Sequence, residues 1–544
     1  MFRPAPAPAD SAIKRFTYGR AKPRAVPWYG IEALWWYFAS ILPNTMRAFS
    51  RDRRGSMRLD VPERLADMVS ERLGCAGDGK PVVETIGRDL WIDFIADTGE
   101  DVSVSEAVGR ILFADHEVPD PDRPGSKIRA PRGDILVFGG DTAYPVATET
   151  NVRERVVEPF NRALAGHDDG RPRVLLGVPG NHDWYGDLEG FRRLFLREEA
   201  SLRLEGYSAL QGASHFILPL TRRIHLFAVD QHLERLDERQ RGFFSDWRKA
   251  RPDLAPVVVM HDPVRAFHKL NAIGADAIAA FGLETETRPH LVVSGDIHHY
   301  ERWRDQAGTH VVAGGGGAFL CPSPLDRRQA PLDLDAEWPG PVQSRALLKQ
   351  VPIRLLSGKA GYMTHLTMLG VFVSSGLMLA RLGWTDAAAL FTAALTGVAI
   401  AGIFALVART RYGQRLQSWI AAAFIGLSSS LVPVFVVAAI REELTDRGYV
   451  TSRGAVILLV GLGILFGTWA LGFFIATLTR FGYEHLQAYA SLMHPGYKHF
   501  VRMRVRSDSA GIDVWTIGLI DPLGPGEGPV LVDQFTWRPG EETS

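Results

Sequence analysis

The sequence has few cysteines, no net charge and no recognisable secretory signal. Cys75 and Cys321 are the only two cysteines in 544 residues, so a disulfide framework is excluded and a reducing compartment is indicated. Lysine plus arginine and aspartate plus glutamate both number 61, and this balance argues against a nucleic acid partner. The first residues mix basic groups with prolines, without the continuous apolar segment and cleavage site of a secretory signal.

The length predicts about three or four structural units. An aromatic stretch from Ile31 to Ile41, ended by Pro43, lies in an N-terminal region spanning residues 1–88. It is too short to cross a bilayer, and we expect a packed or interfacial helix there. Basic residues follow the stretch and favour the interfacial alternative (Arg47, Arg51, Arg53 and Arg54).

Residues 89–325 alternate between short β-branched runs and longer amphipathic stretches. This alternation is typical of an α/β domain with a substantially parallel sheet. Residues 326–361 are rich in proline, aspartate and arginine, and we interpret them as a linker. Three strand-like segments in the tail, residues 481–544, predict a small β appendage (Phe500–Val505, Val514–Ile520 and Val530–Phe535).

Four nearly uncharged runs occupy residues 363–382, 387–408, 418–440 and 455–478. Each is long enough to cross a hydrocarbon core of ~30 Å, which predicts four transmembrane helices within residues 362–480. The alternative is a buried helical bundle of a soluble protein. Lysines and arginines concentrate before the first run, between the second and third, and after the fourth. This pattern places both termini and the α/β domain in the cytoplasm, on an inner or cell membrane.

Five short motifs follow strand-like runs in the α/β region and carry metal-binding types of side chain. They are Asp97-Thr98-Gly99, Gly140-Asp141-Thr142-Ala143-Tyr144, Gly180-Asn181-His182-Asp183, Met260-His261-Asp262 and Gly295-Asp296-Ile297-His298. Side chains at the carboxyl ends of parallel strands converge in space even when they are far apart in sequence. Aspartate, asparagine, tyrosine and histidine together are what a two-metal hydrolytic centre requires.

The ordered motifs resemble those of the calcineurin-like metallophosphoesterase superfamily over roughly residues 90–320. Gly99 in the first motif, and Tyr144 three residues after Asp141, resemble its purple-acid-phosphatase-like branch. Asp296 stands where that branch has a histidine. The resemblance implies an α/β/β/α sandwich that hydrolyses phosphate esters by attack of a metal-bound hydroxide.

Carried over residue by residue, the resemblance implies ligands for two metal ions. Asp141 would bridge both ions, and the other ligands would be Asp97, Tyr144 and His298 at the first ion and Asn181, His261 and Asp296 at the second. His182 would donate to the leaving oxygen, and Asp183 would orient it. The resemblance implies two divalent or mixed-valence ions, with Mn, Fe and Zn as the candidates. Asp296 favours Mn²⁺, Fe²⁺ or Mg²⁺ over Zn²⁺ at its position, whereas Tyr144 favours Fe³⁺ in the first site, so the identity of the metals stays open.

Several alternatives stay open at this point. Tyr144 could be a core tyrosine whose hydroxyl only donates a hydrogen bond. Asp296 could form an ion pair with Arg302 or Arg304, and His299 could bind in its place if the turn were shifted. The Gly314–Gly317 run lacks the lysine and helix start of a phosphate-binding loop, so we expect a tight loop beside the metal site.

The sequence therefore predicts a membrane-anchored dinuclear metal-dependent phosphoesterase in contact with membrane lipids. Its substrate would be a phosphate mono- or diester, and the neighbouring membrane suggests a lipid-linked one. Soluble nucleotides or phosphoproteins are the alternative substrates, with the spans serving only as an anchor. A second alternative is a low-activity sensor that binds metal or ligand and signals through the membrane helices.

Overall fold

The computed structural model describes residues 3–4, 19–50, 53–167, 169–231, 236–283, 289–305, 308–325, 333–409, 415–447, 452–524 and 528–539. The strands, in chain order, are β1 (Arg3–Pro4), β2 (Leu90–Ile95), β3 (His116–Pro119), β4 (Lys127–Ala130), β5 (Ile135–Gly139), β6 (Arg173–Val178), β7 (Tyr207–Ala209), β8 (Phe216–Pro219), β9 (Ile224–Ala228), β10 (Ala255–Met260), β11 (Arg265–Ala266), β12 (Lys269–Leu270), β13 (His290–Ser294), β14 (Tyr300–Arg304), β15 (Gly308–Ala313), β16 (Asp333–Trp338), β17 (Lys498–Val505), β18 (Ile512–Leu519) and β19 (Val530–Trp537).

The α-helices are α1 (Glu32–Trp36), α2 (Leu42–Ser50), α3 (Pro62–Arg72), α4 (Val82–Ile86), α5 (Val102–Leu112), α6 (Glu149–Val152), α7 (Glu158–Leu164), α8 (Asn181–Tyr185), α9 (Glu189–Phe195), α10 (Glu238–Lys249), α11 (Ala272–Ala280), α12 (Pro341–Leu348), α13 (Val351–Leu356), α14 (Met363–Leu382), α15 (Asp386–Val407), α16 (Arg415–Asp446), α17 (Ser452–Arg480) and α18 (Gln487–Leu492). π-Helical turns at Tyr37–Ile41 and Arg153–Val157 connect α1 to α2 and α6 to α7.

Two large sheets organise the α/β region. The first has the order β1-β19-β18-β17-β2-β5-β6-β7, and the second has the order β16-β14-β15-β13-β10-β9-β8. The middle of each sheet is parallel: β2, β5 and β6 in the first, and β9, β10, β13 and β15 in the second. The carboxyl ends of these parallel strands carry the five motifs.

Alternate side chains of each strand enter different cores, which defines the layers. Ile92 and Phe94 of β2 share one core with Val257 of β10, so the two sheets pack face to face. Trp91, on the opposite face of β2, joins a core formed with α5, α7 and α9. Val258, on the opposite face of β10, joins a core formed with α10 and α11. The predicted α/β/β/α sandwich is confirmed.

The carboxyl-terminal strands belong to the first sheet. β17 pairs antiparallel with β2, with Val501 opposite Phe94. Arg502 is buried, and it donates from Nε at 2.6 Å and from Nη2 at 3.0 Å to the Asp93 carboxylate. The tail therefore has the predicted strands, but it is an integral part of the sheet rather than an appendage. Strand-like patterning does not identify a partner strand about 400 residues away.

The segment interpreted as a linker also contains regular structure. β16 pairs with β14 at the edge of the second sheet, and α12 and α13 follow it. Four helices, α14 to α17, then provide stretches long and apolar enough to cross a membrane, at Met363–Leu382, Asp386–Val407, Arg415–Arg441 and Arg453–Arg480. These stretches agree with the four predicted spans.

The aromatic stretch forms the first part of a longer helical segment. Helix runs from Glu32 to Ser50, and Pro43 lies at the second position of α2 rather than ending the helix. The π-helical turn Tyr37–Ile41 directly precedes α2. A change of helical pitch at this point accommodates a proline, which has no N–H to donate. We call Glu32–Ser50 the aromatic helix.

Candidate metal centre

Three aspartates follow central strands, and each has a left-handed backbone. Asp97 follows β2, Asp141 follows β5 and Asp296 follows β13, with φ values of 60°, 49° and 65°. Aspartate is among the few residues other than glycine that adopt this conformation readily. The Asp97 N–H donates to the Gly140 carbonyl at 3.1 Å, which joins the first two loops. The turns therefore place carboxylates from both sheets at one edge of the sandwich.

The first group of side chains surrounds the hydroxyl of Tyr144. That oxygen lies 2.9 Å from Asp97 Oδ1, 2.9 Å from Asp141 Oδ2 and 3.0 Å from His298 Nε2. His298 Nδ1 is 2.8 Å from the Phe319 carbonyl, which can only accept a hydrogen bond. Nδ1 is therefore protonated, and the lone pair of neutral His298 is on Nε2, facing the carboxylates. These are the residues that the resemblance assigned to the first metal.

The second group surrounds His261. Its Nε2 lies 3.4 Å from Asp141 Oδ1, 3.3 Å from Asn181 Oδ1 and 3.9 Å from Asp296 Oδ1. His261 Nδ1 donates to the Gly139 carbonyl at 2.9 Å, which leaves the Nε2 lone pair facing this group. Asp97, Asp141 and His261 each offer one ligand atom, and these atoms lie within 4.8 Å of one another.

Asp141 connects the two groups through its two carboxylate oxygens. Oδ2 faces Tyr144 in the first group, and Oδ1 faces His261 in the second. The donor set of carboxylates, imidazoles, a phenol and a carboxamide fits two cations that share one bridging carboxylate. All seven residues predicted as ligands are brought together here; their coordination is a proposal taken up below.

The electrostatics of the site favour cations. Burial would lower the pKa of His261, but Asp141, Asp97 and Asp296 outweigh it and raise the pKa well above its usual value. Burial also lowers the pKa of His298, while Cys321 and Asp97 raise it to a net value well above the ordinary one. The carboxylates thus concentrate negative charge in a buried space, where bound cations would replace the protons on the imidazoles.

His182 lies beside the first group. Its Nδ1 is 2.6 Å from the Pro145 carbonyl, and its Nε2 is 3.9 Å from Asp141 Oδ2. Its ring lies 4.3 Å from the Tyr144 ring, centroid to centroid. Burial lowers its pKa despite the nearby Asp141 carboxylate. His182 is therefore a largely neutral imidazole with Nε2 turned toward the proposed metal ligands.

Asp183 has a different position from the one expected. Its Oδ2 accepts hydrogen bonds from the Gly180 N–H at 2.8 Å and the Thr142 N–H at 3.3 Å. The contact that orients His182 comes instead from the Pro145 carbonyl, which corrects the orienting role predicted for Asp183. Burial and the Asp141 charge raise the pKa of Asp183 to about 7. Asp183 therefore stabilises the loops that carry Asp141 and Asn181.

The structure also shows the partners of the arginines and the histidine that were alternatives at the fifth motif. Arg302 contacts Asp335 and Asp533, and Arg304 contacts Asp335, so both arginines have other partners than Asp296. His299 Nε2 lies 3.3 Å from Glu301 Oε2. The predicted tight loop Gly314–Gly317 packs closely against the first motif. A Cβ added at Gly314 would lie 2.7 Å from Asp97 Oδ2.

Three residues near the centre had no clear signal in the sequence. Trp28 Nε1 donates to Glu100 Oε1 at 3.0 Å, and its ring makes edge contacts with Tyr144 and His182. Burial raises the pKa of Glu100 to about 7. Lys498 Nζ is buried without a hydrogen-bond partner in the described part of the chain, and burial lowers its pKa to about 8. Of the three, only Glu100 lies next to one of the five motifs, directly after Asp97-Thr98-Gly99.

One family model matches the part of the chain that carries the five motifs. Residues 90–300 match the family model for Calcineurin-like phosphoesterase. Among solved structures, GAP50, the anchor in the inner membrane complex of Plasmodium, matches with a TM-score of 0.33 and 10% identity, over 46% of this chain and 77% of that chain. PhoD matches with a TM-score of 0.30 and 10% identity, over 45% of this chain and 59% of that chain. No curated protein matches this sequence. The chain therefore contains a calcineurin-like phosphoesterase domain at residues 90–300.

Proposed function

We propose that this protein is a membrane-anchored dinuclear metal-dependent phosphoesterase. The observation that carries the proposal is the position of Asp141, whose two oxygens face separate donor groups built from both sheets. A carboxylate in this position can hold two cations about 3.5–4 Å apart. The coordination of one ion would be completed by Asp97, Tyr144 and His298. The coordination of the other would be completed by Asn181, His261 and Asp296.

The chemistry divides between the ions and this chain's own residues. When bound, two cations supply Lewis-acid activation of the ester phosphate and of water. His182 would act at the leaving oxygen through Nε2, because Nδ1–H is committed to the Pro145 carbonyl. Donation from Nε2 would require the imidazolium form, which takes up one proton before the step and returns to the neutral Nδ1–H form after it. Trp28 and Tyr144 pack against the His182 ring and limit its movement. Asp183 fixes the loops of Asp141 and Asn181 through the Gly180 and Thr142 N–H groups.

The contacts of Tyr29 support a position of the centre close to the membrane. The Tyr29 N–H donates to the Ala360 carbonyl at 3.1 Å, and the Met363 N–H donates to the Tyr29 carbonyl at 2.9 Å. Met363 begins α14, the first helix long and apolar enough to span a membrane. Trp28, one residue earlier, contacts Tyr144 and His182. Trp28, which contacts the metal centre, and Tyr29, which contacts the start of the first proposed span, are thus neighbours in the chain.

The aromatic helix begins at the same place and exposes apolar side chains. Trp35 is 73% exposed, Phe38 63% and Met46 65%. Exposed aromatic residues next to a membrane span are typical of a helix lying in the interface between headgroups and acyl chains. We infer that the aromatic helix contacts lipid and that the substrate is a phosphate ester held in the membrane, such as a lipid-linked phosphate.

Metal content and activity test the dinuclear centre. The full chain is purified in detergent, and bound metals and hydrolysis of phosphomonoesters and phosphodiesters are measured. Asp141→Asn should lose metal relative to the wild type and reduce activity by more than ~100-fold, because it removes a ligand of both ions. Asp253→Asn, at an exposed position, is the matched control. An unchanged metal content in Asp141→Asn would refute the site, and metal binding without turnover on a broad substrate panel would favour a sensor.

Lipid presentation tests the substrate class. Phosphatidic acid in mixed micelles and a soluble aryl phosphate are compared in the wild type and in Trp35→Ser/Phe38→Ser. The double variant should lower only the rate on the micellar substrate, because its side chains lie outside the metal centre. Val61→Ser changes a similarly exposed apolar residue outside the aromatic helix and should leave both rates unchanged. Equal losses on both substrates would argue against a lipid-docking role.

A further inference from the structure

A second cluster of metal-binding side chains lies in the second sheet, away from the proposed dinuclear centre. His290 begins β13, His310 lies in β15, and Asp305 follows β14. The register pairs His290 with Gly308 and Val292 with His310, so the two histidines are on neighbouring strands. The carboxyl end of β13 is about 13 Å along the strand from His290. The motif that contains Asp296 follows that end. The two groups are at opposite ends of the same strand.

The donor atoms of this cluster converge on one small space beside Gly308. A Cβ placed on Gly308 would lie 2.4 Å from His290 Nε2, 2.5 Å from His310 Nε2 and 2.8 Å from Asp305 Oδ1. The ligand atoms of these three residues lie within 4.8 Å of one another. Bonds from zinc to imidazole nitrogen and carboxylate oxygen are about 2.0–2.2 Å, so small movements of the side chains would suffice. The absent side chain of Gly308 leaves this space open.

The surrounding structure holds the donors in place. The His310 ring stacks on Trp303 with a centroid distance of 3.8 Å and an interplanar angle of 4°. The Gly308 N–H donates to Asp305 Oδ1 at 2.7 Å, and His310 Nε2 lies 3.0 Å from Asp305 Oδ2. Both histidines are buried, whereas the Asp305 side chain is about half exposed, at 48%. Water can therefore reach the cluster from the carboxylate side.

We propose that His290, Asp305 and His310 bind one borderline divalent cation of the Zn²⁺ type, with water completing the coordination. Two imidazoles and one carboxylate favour zinc and its neighbours in the first transition row over Mg²⁺ or Ca²⁺. The ion would join β13 and β15 to the end of β14 and stabilise this edge of the second sheet. The site is independent of the proposed phosphoesterase centre.

An ion pair between Asp305 and His310 is the simpler explanation of part of the cluster. That pair joins Asp305 and His310, and His290 also interacts electrostatically with the Asp305 carboxylate. The proposal rests on the convergence of all three ligand atoms on one space, including Nε2 of His290. The discriminating variant is therefore His290→Gln, which keeps the Asp305–His310 pair intact. Gly308→Ala is its complement, because it keeps all three ligands and fills the space between them. The backbone φ of Gly308 lies outside the left-handed region, so the backbone allows alanine, and the added Cβ would displace the His290 and His310 rings from the shared space.

Zinc stoichiometry tests the site in the full chain purified in detergent. The measurement uses an Asp141→Asn background, so that the dinuclear centre contributes equally to each comparison. After removal of metals, reloading with Zn²⁺ and gel filtration, His290→Gln and Gly308→Ala should each carry one zinc fewer per chain than the parent. His225→Gln, a buried histidine of the same sheet outside the cluster, should retain it. In a chain with Asp141 intact, His290→Gln should keep the phosphoesterase activity.

A spectroscopic measurement identifies the ligands directly. Cu²⁺ loaded at this site should show hyperfine coupling to two imidazole nitrogens by electron paramagnetic resonance, and to one in His290→Gln. If His290→Gln is too unstable to purify, Gly308→Ala decides the question by the same zinc measurement. Equal zinc content in the parent and in the purified variants, or coupling unchanged by His290→Gln, would overturn the proposal and leave only the Asp305–His310 ion pair.

Discussion

The hydroxyl of Tyr144 is the meeting point of three proposed metal ligands. It lies 2.9–3.0 Å from Asp97, Asp141 and His298, while its ring packs against His182 and Trp28. Burial and the two carboxylates raise the pKa of this phenol well above 10, so without cations it remains protonated. A bound cation would reverse that preference, because it stabilises the phenolate.

Replacing Tyr144 by phenylalanine separates packing from metal binding. Tyr144→Phe should retain the fold, since the ring contacts survive, and should bind metal at the first position roughly 10–100-fold more weakly. Competition with a chelator measures the affinity, and loss of any visible charge-transfer band would identify iron in the wild type. Tyr207→Phe is the control, because the Tyr207 hydroxyl is buried without a hydrogen-bond partner among the described residues. Equal affinity in wild type and Tyr144→Phe would exclude the phenol as a ligand.

His225 predicts a dependence of stability on pH that is separate from the metal centre. Its Nδ1 accepts a hydrogen bond from Trp247 at 3.0 Å, and burial, with help from Arg251, lowers its pKa to about 3. An unfolded histidine has a pKa near 6.5, so the unfolded state binds more protons below that pH. Stability should therefore fall as pH drops from about 6.5 toward 3, by at most about 1.4 kcal/mol per pH unit for this residue.

Thermal and denaturant unfolding at pH 7 and pH 5 measure this dependence. His225→Gln should lose about 1–2 kcal/mol less than the wild type between these two pH values, because glutamine has no charge to gain. Buried His116, His494 and His499 also have lowered pKa values, so the wild-type slope should not vanish in the single variant. Identical slopes in the two proteins would contradict the assignment to His225.

The predicted ligands and the unpredicted neighbours differ in how they reach the centre. Strand ends bring Asp97, Asp141 and Asp296 together by the geometry of parallel sheets, which local sequence patterns reveal. Trp28 arrives from a segment 72 residues before Glu100, and Lys498 from beyond the four apolar helices. Their positions depend on long-range packing, which no local periodicity encodes. The contact of His182 with a backbone carbonyl was likewise invisible in the sequence.

At the level of elements, β17 is held to β2 by a buried ion pair. Arg502 also donates to the carbonyls of Leu112, Ala114 and Ala130, so its guanidinium connects the tail to two further segments, the end of α5 and β4. Strand patterning predicted β17 to β19 themselves, but pairing across 409 residues is set by this tertiary contact. The same limit applies to β16, whose charged sequence suggested a linker.

Removing Arg502 should destabilise the chain strongly. Arg502→Met leaves the buried Asp93 carboxylate without its cation and should cost about 3–5 kcal/mol. Arg304→Met removes a more exposed ion pair with Asp335 and should cost less than about 1 kcal/mol. Denaturant unfolding of the full chain, followed by tryptophan fluorescence, measures both. A loss below 1 kcal/mol in Arg502→Met would show that the tail strands contribute little to the stability of the sheet.

At the level of the whole molecule, the first sheet constrains how the chain can cross a membrane. β2 precedes the four apolar helices and β17 follows them, yet the two strands pair with each other. The segments before and after the helices must therefore lie on one side of the membrane, and an even number of crossings satisfies that condition. The distribution of lysine and arginine predicts that this side is the cytoplasm.

Labelling of single cysteines with a membrane-impermeant maleimide in intact cells tests this arrangement. In a Cys75→Ser background, Asp386→Cys, at the exposed start of α15, should react from outside. Asp253→Cys and Ser507→Cys, exposed in the phosphoesterase region and in the tail, should react only after permeabilisation. If only one of positions 253 and 507 reacted in intact cells, the pairing of β17 with β2 would be contradicted. If positions 386 and 253 both reacted, or both failed to react, in intact cells, the four proposed crossings would be contradicted. Because the two failures differ, the experiment tests the shared sheet and the proposed membrane topology separately.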